Sequence, residues 1–371
     1  MNFDLNEDET MLKGVVERFV LDRYDAEKRR RFLAEPAGFS RENWALLGEL
    51  GILAAALPEA AGGLDLGLTG MAVICEALGH GMVVEPVVEN AFFAAPLLLS
   101  AIGGDLAGQW SEGLAKGQRR VALAHPEKGS RAGSTWIETR VKRNGSGLIL
   151  NGEKPYVAAG HGADGYIASA RSDGDAGSEA GWGLYFVPAD TKGLSCTTWS
   201  MTDGSKAVSL VLDNVSLDPA NELADGPAAL RRAGLRASLA RSAEALGIME
   251  RLFADTLDYV RQRVQFGSPI GSFQAVQHRL ARQYAELEQA RALLELAIVS
   301  EDRDDFATAV DGARAFIARA SIELGHQAIQ FHGGMGVTDE LAIGQGHKRL
   351  LVISRWPDDA AAALDRYAGV A

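Results

Sequence analysis

The most informative stretch of this sequence is Arg263-Val264-Gln265-Phe266-Gly267-Ser268-Pro269-Ile270-Gly271-Ser272-Phe273-Gln274. A second stretch of similar character follows in Gln330-Phe331-His332-Gly333-Gly334-Met335-Gly336. Each places residues with hydrogen-bond donors beside glycines at the edge of a strongly helical segment. An arginine offers a planar fork of donors that suits a pyrophosphate, and a glycine-rich run lets a ligand approach the backbone amides closely. Together the two stretches indicate a site for a polyanionic cofactor.

Each stretch also has a simpler structural interpretation when it is taken alone. A glycine cluster after a helix commonly forms a C-cap or a tight turn, which would account for Gly333 and Gly334. The segment 266–271 has the composition of an ordinary connection between two helices. The occurrence of both stretches, in this order and near the C-terminus, is what favours a ligand site.

The composition is that of a globular protein with more than one domain. The chain has 371 residues, of which 47% are hydrophobic and 23% are charged, and this length predicts two or three domains. The formal net charge of −12 argues against nucleic acid as a partner. A local basic site built from Arg263, Lys348 and Arg349 remains compatible with an anionic ligand.

Three features of the sequence help to predict the cellular compartment. Residues 1–9 are acidic and lack the basic and apolar regions of a secretory signal. The apolar runs fall short of the ~20 residues that a membrane-spanning helix needs. Cys75 and Cys196 lie far apart in sequence, which favours two buried free thiols over a disulfide. We therefore expect a cytoplasmic protein with no membrane association.

The spacing of apolar residues changes twice along the chain. Helical spacing predicts an N-terminal all-helical domain over 1–118. Short apolar runs separated by Gly, Asn and Asp predict a small β domain over 119–217, with a mobile hairpin connection at 172–183. Helical spacing then resumes over 228–262, 272–300 and 304–330, and these three long amphipathic helices with a terminal one predict a four-helix bundle over 218–371.

Further motifs make the sequence similar to the acyl-CoA dehydrogenase family over nearly its whole length. Trp44, Leu50-Gly51-Ile52 and Pro58-Glu59-Ala60-Ala61-Gly62-Gly63 resemble that family's N-terminal helix, loop and glycine-rich turn. Leu150-Asn151-Gly152-Glu153-Lys154 and Ile167-Ala168-Ser169-Ala170-Arg171 resemble its paired barrel strands. The resemblance implies an α+β fold with an N-terminal helical domain, a middle β-barrel domain and a C-terminal four-helix bundle, in the order that the hydrophobic pattern predicts.

The resemblance also implies FAD as the cofactor, held in a cleft between the β domain and the bundle, with its pyrophosphate contacted by a neighbouring subunit. Arg263 would bind the pyrophosphate, Phe266 would pack on the cofactor, and Gln274 and Gln330 would donate to its polar edges. The matching cofactor-binding positions of the bundle are Arg263, Gln265, Phe266, Phe273, Gln274, Gln330, Gly333 and Gly334. An intersubunit salt bridge is the alternative role for Arg263.

The β-domain side of the implied flavin site departs from the family pattern. Where the family usually has a tryptophan and, two positions later, a hydroxyl residue against the flavin ring, this chain has Tyr156 and Ala158. Tyrosine can cover a ring face, but alanine has no side-chain donor for the reactive nitrogen. The preceding loop keeps Gly129 and Ser130 and has Ala124-His125 where Thr-Glu is usual.

The catalytic base is missing from both of its usual family positions. Removal of the α-proton, as hydride leaves the β-carbon, needs a carboxylate. The family's C-terminal glutamate position matches Pro357 here, and its alternative position on the first bundle helix matches Ala237. Two substitutes are Glu244, about 10 Å further along the same helical face, and Asp358. Glu244 alternatively pairs with Arg241 or Arg251, and Asp358 alternatively lies in a solvated surface turn.

Other departures resemble the heterotetrameric bacterial branch of the family, in which two related chains share FAD sites and one supplies the base. The family's contacts to CoA match Leu235 and Ser238, which cannot serve in that way, and 339–350 also resembles this branch. Some of its members act on bulky acyl-CoA thioesters such as steroid side chains. The resemblance leaves a homotetramer and a heterotetramer with a homologous subunit open.

The expected activity is α,β-dehydrogenation of an acyl-CoA to its trans-2-enoyl product, as in fatty acid or steroid side-chain β-oxidation, with electrons passed to an electron-transfer flavoprotein. One alternative is a catalytically incomplete partner subunit, which would be colourless or poor in flavin when purified alone. The other is a flavin monooxygenase or oxidase on the same fold, which would consume oxygen and ignore CoA thioesters.

Overall fold

The computed structural model describes residues 5–130, 135–145 and 147–370. The acidic N-terminal residues 1–4 lie outside this range. The chain divides into two compact units. We call Met1–Arg31, Leu68–Val83 and Ser238–Ala371 the helical unit, and Phe32–Gly67 and Val84–Ala237 the sheet unit. Each is described by itself.

The α-helices of the described residues vary from short turns to one of 37 residues. In chain order they are α1 Glu7–Arg23, α2 Ala26–Ala34, α3 Arg41–Glu49, α4 Leu68–His80, α5 Ala95–Ala101, α6 Gly104–Ala115, α7 Gly226–Gln262, α8 Gln274–Ile298, α9 Phe306–His332, α10 Ala342–Ile353 and α11 Ala360–Tyr367. A π-helix spans Val87–Ala94, and a 3₁₀ helix spans Gly333–Val337. No helix of the described residues is long and apolar enough to cross a membrane.

The strands form one seven-stranded sheet and one short hairpin. They are β1 Val121–Ala124, β2 Arg140–Asn144, β3 Gly147–Ala158, β4 Gly165–Arg171, β5 Trp182–Pro188, β6 Leu194–Ser200, β7 Lys206–Leu217, β8 Val264–Gln265 and β9 Ser268–Pro269. The sheet has the order β1-β4-β2-β3-β7-β6, with β5 paired to β4, and β8 pairs with β9. β3 and β7 are antiparallel in the register Leu148↔Leu217 to Ala158↔Ala207, with two register shifts.

The sheet unit buries an apolar core on the sheet. Alternate side chains of a strand face opposite sides, and β3 accordingly buries Leu148, Leu150 and Val157 with Val208 and Leu210 of β7. β4 is buried along its whole length. By contrast, β6 is almost entirely exposed.

The helical unit brings α4 and α7 into backbone contact through glycines. A Cβ added to Gly79 would lie 2.2 Å from the carbonyl oxygen of Glu244, and one added to Gly247 would lie 2.0 Å from that of Glu76. Only glycine permits so close an approach. The helix predictions 228–262, 272–300 and 304–330 agree with α7, α8 and α9 to within a few residues.

Two smaller expectations need correction. Both cysteines are free, but Cys196 is exposed and only Cys75 is buried, because Cys196 lies on the exposed strand β6. The connection 172–183, expected to be mobile, is held by the fully buried guanidinium of Arg171. This side chain donates to the carbonyl oxygens of Asp173, Ala176, Ser178 and Ala180 at 2.6–3.2 Å.

Candidate active site

The stretch 263–274 folds as a β-hairpin followed by a 3₁₀ turn. Arg263 follows Gln262, the last residue of the long helix α7. β8 and β9 pair, and the backbone N–H of Ile270 donates to the carbonyl oxygen of Arg263 at 2.8 Å. The two turn residues, Phe266 and Gly267, have φ values of +54° and +81°. Positive φ at both central residues is what a type I′ hairpin turn requires. The segment is therefore a structured hairpin rather than an ordinary helix connection.

The hairpin presents an aromatic side chain to solvent. Phe266 is 96% exposed, and its ring lies edge-on to that of Phe273, with 6.4 Å between ring centroids. A bulky residue at positive φ raises the free energy of the folded state by about 1 kcal/mol. Because the Phe266 ring is exposed, burial of the ring does not offset this cost. Strain of this kind persists where a function needs it. We expect this ring to be covered when the cofactor or a neighbouring subunit binds.

Phe266→Asn is expected to stabilise the isolated chain and weaken its assembly. Asparagine tolerates positive φ, and Asn-Gly is a favoured pair in this turn type, so we expect the free energy of unfolding to rise by about 0.5–1 kcal/mol. Sedimentation velocity should show a smaller assembly for the variant. Leu21→Ser, which alters an equally solvent-facing apolar residue of α1 (73% exposed), serves as the control. An unchanged assembly would exclude the hairpin from the interface.

The second stretch lies beside the base of this hairpin. Val260, Leu280 and Phe331 form one buried cluster, with Ile270 packed against it. Ile270 of the first stretch and Phe331 of the second therefore lie close together in the helical unit. Arg263, Gln265, Phe273, Gln274 and Gln330 are all at least partly exposed around this cluster.

The sequence left two interpretations of Gly333 and Gly334 open, a helix cap and a ligand site, and the structure is compatible with both. Gly333 follows the last residue of α9, its N–H donates to the carbonyl oxygen of Gln330, and its φ of +60° with ψ of −139° is a conformation for glycine. It is therefore a helix cap. Both glycines are exposed, and a Cβ on either would meet nothing within 4 Å, so a ligand can still approach the backbone here.

The residues predicted for the flavin in the sheet unit lie on β3 and on the loop after β1. Tyr156 packs on Trp199 of β6, with 5.9 Å between ring centroids, and Ala158 pairs with Ala207. Gly129 is required by packing, since a Cβ there would lie 2.3 Å from the indole nitrogen of Trp136. Sequence reasoning missed Trp199, whose contact joins strands more than 40 residues apart.

Glu244 is buried between two arginines of the helical unit. Its Oε2 accepts from Arg241 and its Oε1 accepts from the Nε of Arg349 at 2.8 Å. The guanidinium of Arg241 in turn lies 4.8 Å from the centroid of the Trp356 ring. Paired hydrogen bonds of this kind anchor the carboxylate. The pairing with Arg241 that the sequence suggested is present, whereas Arg251 pairs with Asp255.

Asp358 is buried, so the prediction of a solvated surface turn was wrong. Its carboxylate pairs with Arg366 and lies 3.6 Å from the Nε of Arg314. Arg366 also binds Asp311 at 2.7 Å. A buried carboxylate with two cationic partners is placed to hold structure together.

The side chain of Arg314 holds the segment around Pro357, the position that matches the family's C-terminal glutamate. Its Nη2 donates to the carbonyl oxygens of Ile353, Trp356 and Asp358 at 2.7, 3.1 and 2.7 Å. Burial lowers the pKa of the Arg314 guanidinium to about 10, with Asp358 opposing the shift. The arginine is thus charged at neutral pH, and it anchors the turn on both sides of Pro357.

The donor set of the helical unit suits an anionic dinucleotide. A guanidinium, two side-chain amides and two exposed glycines provide donors for phosphate oxygens, and an aromatic side chain beside them suits a flavin or adenine ring. FAD meets these requirements. In the sheet unit Tyr156 remains suitable for a ring face, and Ala158 lacks the hydroxyl donor.

Family models identify the class of protein. The acyl-CoA dehydrogenase N-terminal, middle and C-terminal domains match residues 6–117, 121–215 and 234–356. The chain belongs to the acyl-CoA dehydrogenase family of oxidoreductases, as the sequence predicted, and the predicted fold is confirmed. The acyl-CoA dehydrogenase FadE27 of Mycobacterium tuberculosis is 29% identical over 347 residues, which cover 91% of this chain and 90% of that protein.

Two solved complexes are especially similar. The ChsE4-ChsE5 complex from Mycobacterium tuberculosis has a TM-score of 0.90 at 28% identity and covers 100% of this chain and 98% of the matched one. The Tcur3481-Tcur3483 steroid ACAD variant has a TM-score of 0.88 at 30% identity and covers 98% and 97%. Neighbours at lower identity, which share the fold, include an FAD complex and an FAD-dependent dehydrogenase.

Proposed function

We propose that this chain is one subunit of a two-chain, FAD-dependent acyl-CoA dehydrogenase, in which it helps to bind the flavin and a homologous partner supplies the catalytic base. The proposal rests on the burial of the two candidate bases and on their pairing with arginines. Glu244 and Asp358 are both buried in pairs with arginines. A general base must reach the proton that it removes, and these carboxylates are occupied by their partners.

The proposed reaction is α,β-dehydrogenation of an acyl-CoA thioester to its trans-2-enoyl product. FAD, when bound, accepts the hydride from the β-carbon. In this chain Arg263 binds the pyrophosphate, Gln274 and Gln330 donate to polar edges, and Phe266 packs on the cofactor. The α-proton passes to a carboxylate of the partner subunit. These roles follow from the exposed donors around the hairpin and from their match to the family pattern.

The proposed assembly and substrate are supported by the neighbours. Both similar complexes are named as pairs of chains, and one is named as a steroid ACAD. A bulky acyl-CoA such as a steroid side-chain thioester is therefore the substrate class that we propose, with an electron-transfer flavoprotein as acceptor. The domain division that we propose remains 1–118, 119–217 and 218–371.

The chain purified alone is expected to leave its flavin oxidised when acyl-CoA is added. The experiment is an anaerobic titration of the FAD-reconstituted chain with short, long, branched and steroid side-chain acyl-CoAs, followed by the visible spectrum. Without a base the α-proton stays in place and the spectrum stays that of oxidised flavin. Dithionite, which needs no base, is the control for a reducible flavin.

Other outcomes of that titration identify the rival functions. Bleaching by a thioester in the isolated chain would establish a self-sufficient dehydrogenase and overturn the division of labour proposed here. Rapid oxygen consumption with no response to thioesters would indicate an oxidase or monooxygenase.

A further inference from the structure

A buried ion pair underlies the loop that carries the predicted flavin contacts of the sheet unit. The ammonium of Lys154 and the carboxylate of Glu127 are 0% and 3% exposed, and the Nζ–Oε1 distance is 2.5 Å. Removing two charges from water is expensive unless each finds further partners. Both do so here, and every partner lies in the sheet unit.

Glu127 binds backbone groups ahead of β2 as well as the lysine. Its carboxylate accepts from the N–H groups of Glu138 and Thr139, the latter at 3.1 Å. Its own N–H donates to the hydroxyl of Ser130 at 2.9 Å, and that hydroxyl donates to the Glu127 carbonyl oxygen at 2.8 Å. One residue therefore ties the loop at Ser130 to the chain that enters β2.

Lys154 connects the same loop to two strands. It belongs to β3, the strand of Tyr156 and Ala158, and its Nζ donates to the Ser169 hydroxyl of β4 at 2.8 Å and to the His125 carbonyl oxygen at 3.4 Å. The three ammonium hydrogen bonds thus join β3 to the loop, through His125 and Glu127, and to β4, through Ser169. The loop residues Gly129 and Ser130 and the strand residues Tyr156 and Ala158 all lie on segments that the pair joins.

The pair also orients the ring of His125. The Ser169 hydroxyl accepts from Lys154, lies 3.0 Å from the His125 Nδ1 and donates to the His125 carbonyl oxygen at 3.4 Å. The lysine therefore places a hydroxyl that contacts both the ring and the backbone of His125. His125 stands where the family usually has glutamate.

We infer that Glu127 and Lys154 are positioning residues, which hold the loop 124–130 on the sheet in the arrangement that the cofactor requires. This inference rests on the proposed function for its cofactor. It assigns no contact between either side chain and FAD. Both act through Ser130, Ser169 and His125.

Charge on the two groups supports this role at neutral pH. Burial lowers the pKa of Lys154 to about 8, against the effect of Glu127. Burial opposes ionisation of Glu127, but Lys154, Thr139 and Glu138 together hold the pKa of its carboxyl below the usual value. Arg171 also interacts favourably with Glu127. The pair is therefore ionised at pH 7.

The test is the double variant Glu127→Gln/Lys154→Met in the full chain at pH 7. Removing both charges avoids the unpaired buried ion that either single variant would leave. We expect FAD to bind at least about tenfold more weakly, the visible spectrum of bound flavin to shift, and the thermal midpoint to change little. Hydrogen exchange of the amides of 127–130 and 135–139 should accelerate even without FAD. The control is Arg143→Met/Glu222→Gln, which removes an exposed pair of the same unit.

The outcomes separate this inference from the proposed function. Faster exchange with weakened FAD binding, in the test variant and not in the control, supports the positioning role. Unchanged exchange together with unchanged FAD affinity and spectrum overturns it while the proposed function stands. If the unaltered chain binds no FAD even in complex with a homologous partner subunit, the proposed function fails, and exchange alone decides whether the pair holds the loop.

Discussion

Glu244→Gln is expected to lower the free energy of unfolding by about 3–5 kcal/mol. The carboxylate is buried between Arg241 and Arg349, and a neutral amide would remove the charge with which it balances both buried guanidinium groups. The stacking of Arg241 on Trp356 extends the effect to the segment after α10. Denaturant unfolding of the apoprotein measures the loss directly, and flavin occupancy does not enter the measurement.

The comparison variant is Glu288→Gln, which neutralises an exposed carboxylate of α8 and should change the free energy of unfolding by less than about 0.5 kcal/mol. Flavin reduction in the complex with the partner subunit should survive Glu244→Gln, once measured below the unfolding transition. A stable variant that binds acyl-CoA and no longer reduces its flavin would instead identify Glu244 as the base.

The sequence predicted those features that depend on local patterns. Helical spacing placed α7, α8 and α9 to within a few residues, because an amphipathic period of 3.6 residues needs only near neighbours to be recognised. The C-cap at Gly333 was one of two stated alternatives, and glycine chemistry alone suggests it. The hairpin of β8 and β9 was missed because Phe266 occupies a turn position that usually carries Asn, Asp or Gly.

Some charge pairs of the candidate site are formed by residues that are far apart in sequence, so sequence patterns do not predict them. Glu244 and Arg349 are 105 residues apart, and Arg314 and Asp358 are 44 apart. Arg241 was foreseen because it lies three residues from Glu244 on one helix. Asp358 has the sequence of a surface turn residue because it follows a proline and precedes a second aspartate, and its burial accompanies pairing with Arg314 of α9 and Arg366 of α11.

Arg263→Ala is expected to weaken FAD binding by roughly 10- to 100-fold, which corresponds to the loss of charged hydrogen bonds worth about 1.5–3 kcal/mol. The side chain is exposed at the end of α7, while its backbone carbonyl holds the hairpin through Ile270. The substitution therefore removes the guanidinium and keeps the hairpin. Fluorescence titration of the apoprotein with FAD gives the affinity, and the thermal midpoint should be nearly unchanged.

Arg261→Ala provides the matched control for Arg263→Ala, because it removes an exposed arginine two residues earlier on the same helix, where the guanidinium lies 3.6 Å from Asp258. If general positive charge attracted the cofactor, both variants would lose affinity alike, and the loss would fade with salt. A specific pyrophosphate contact predicts a loss for Arg263 alone that persists at high salt. Full flavin retention in Arg263→Ala, with a smaller assembly, would assign Arg263 to an intersubunit salt bridge instead.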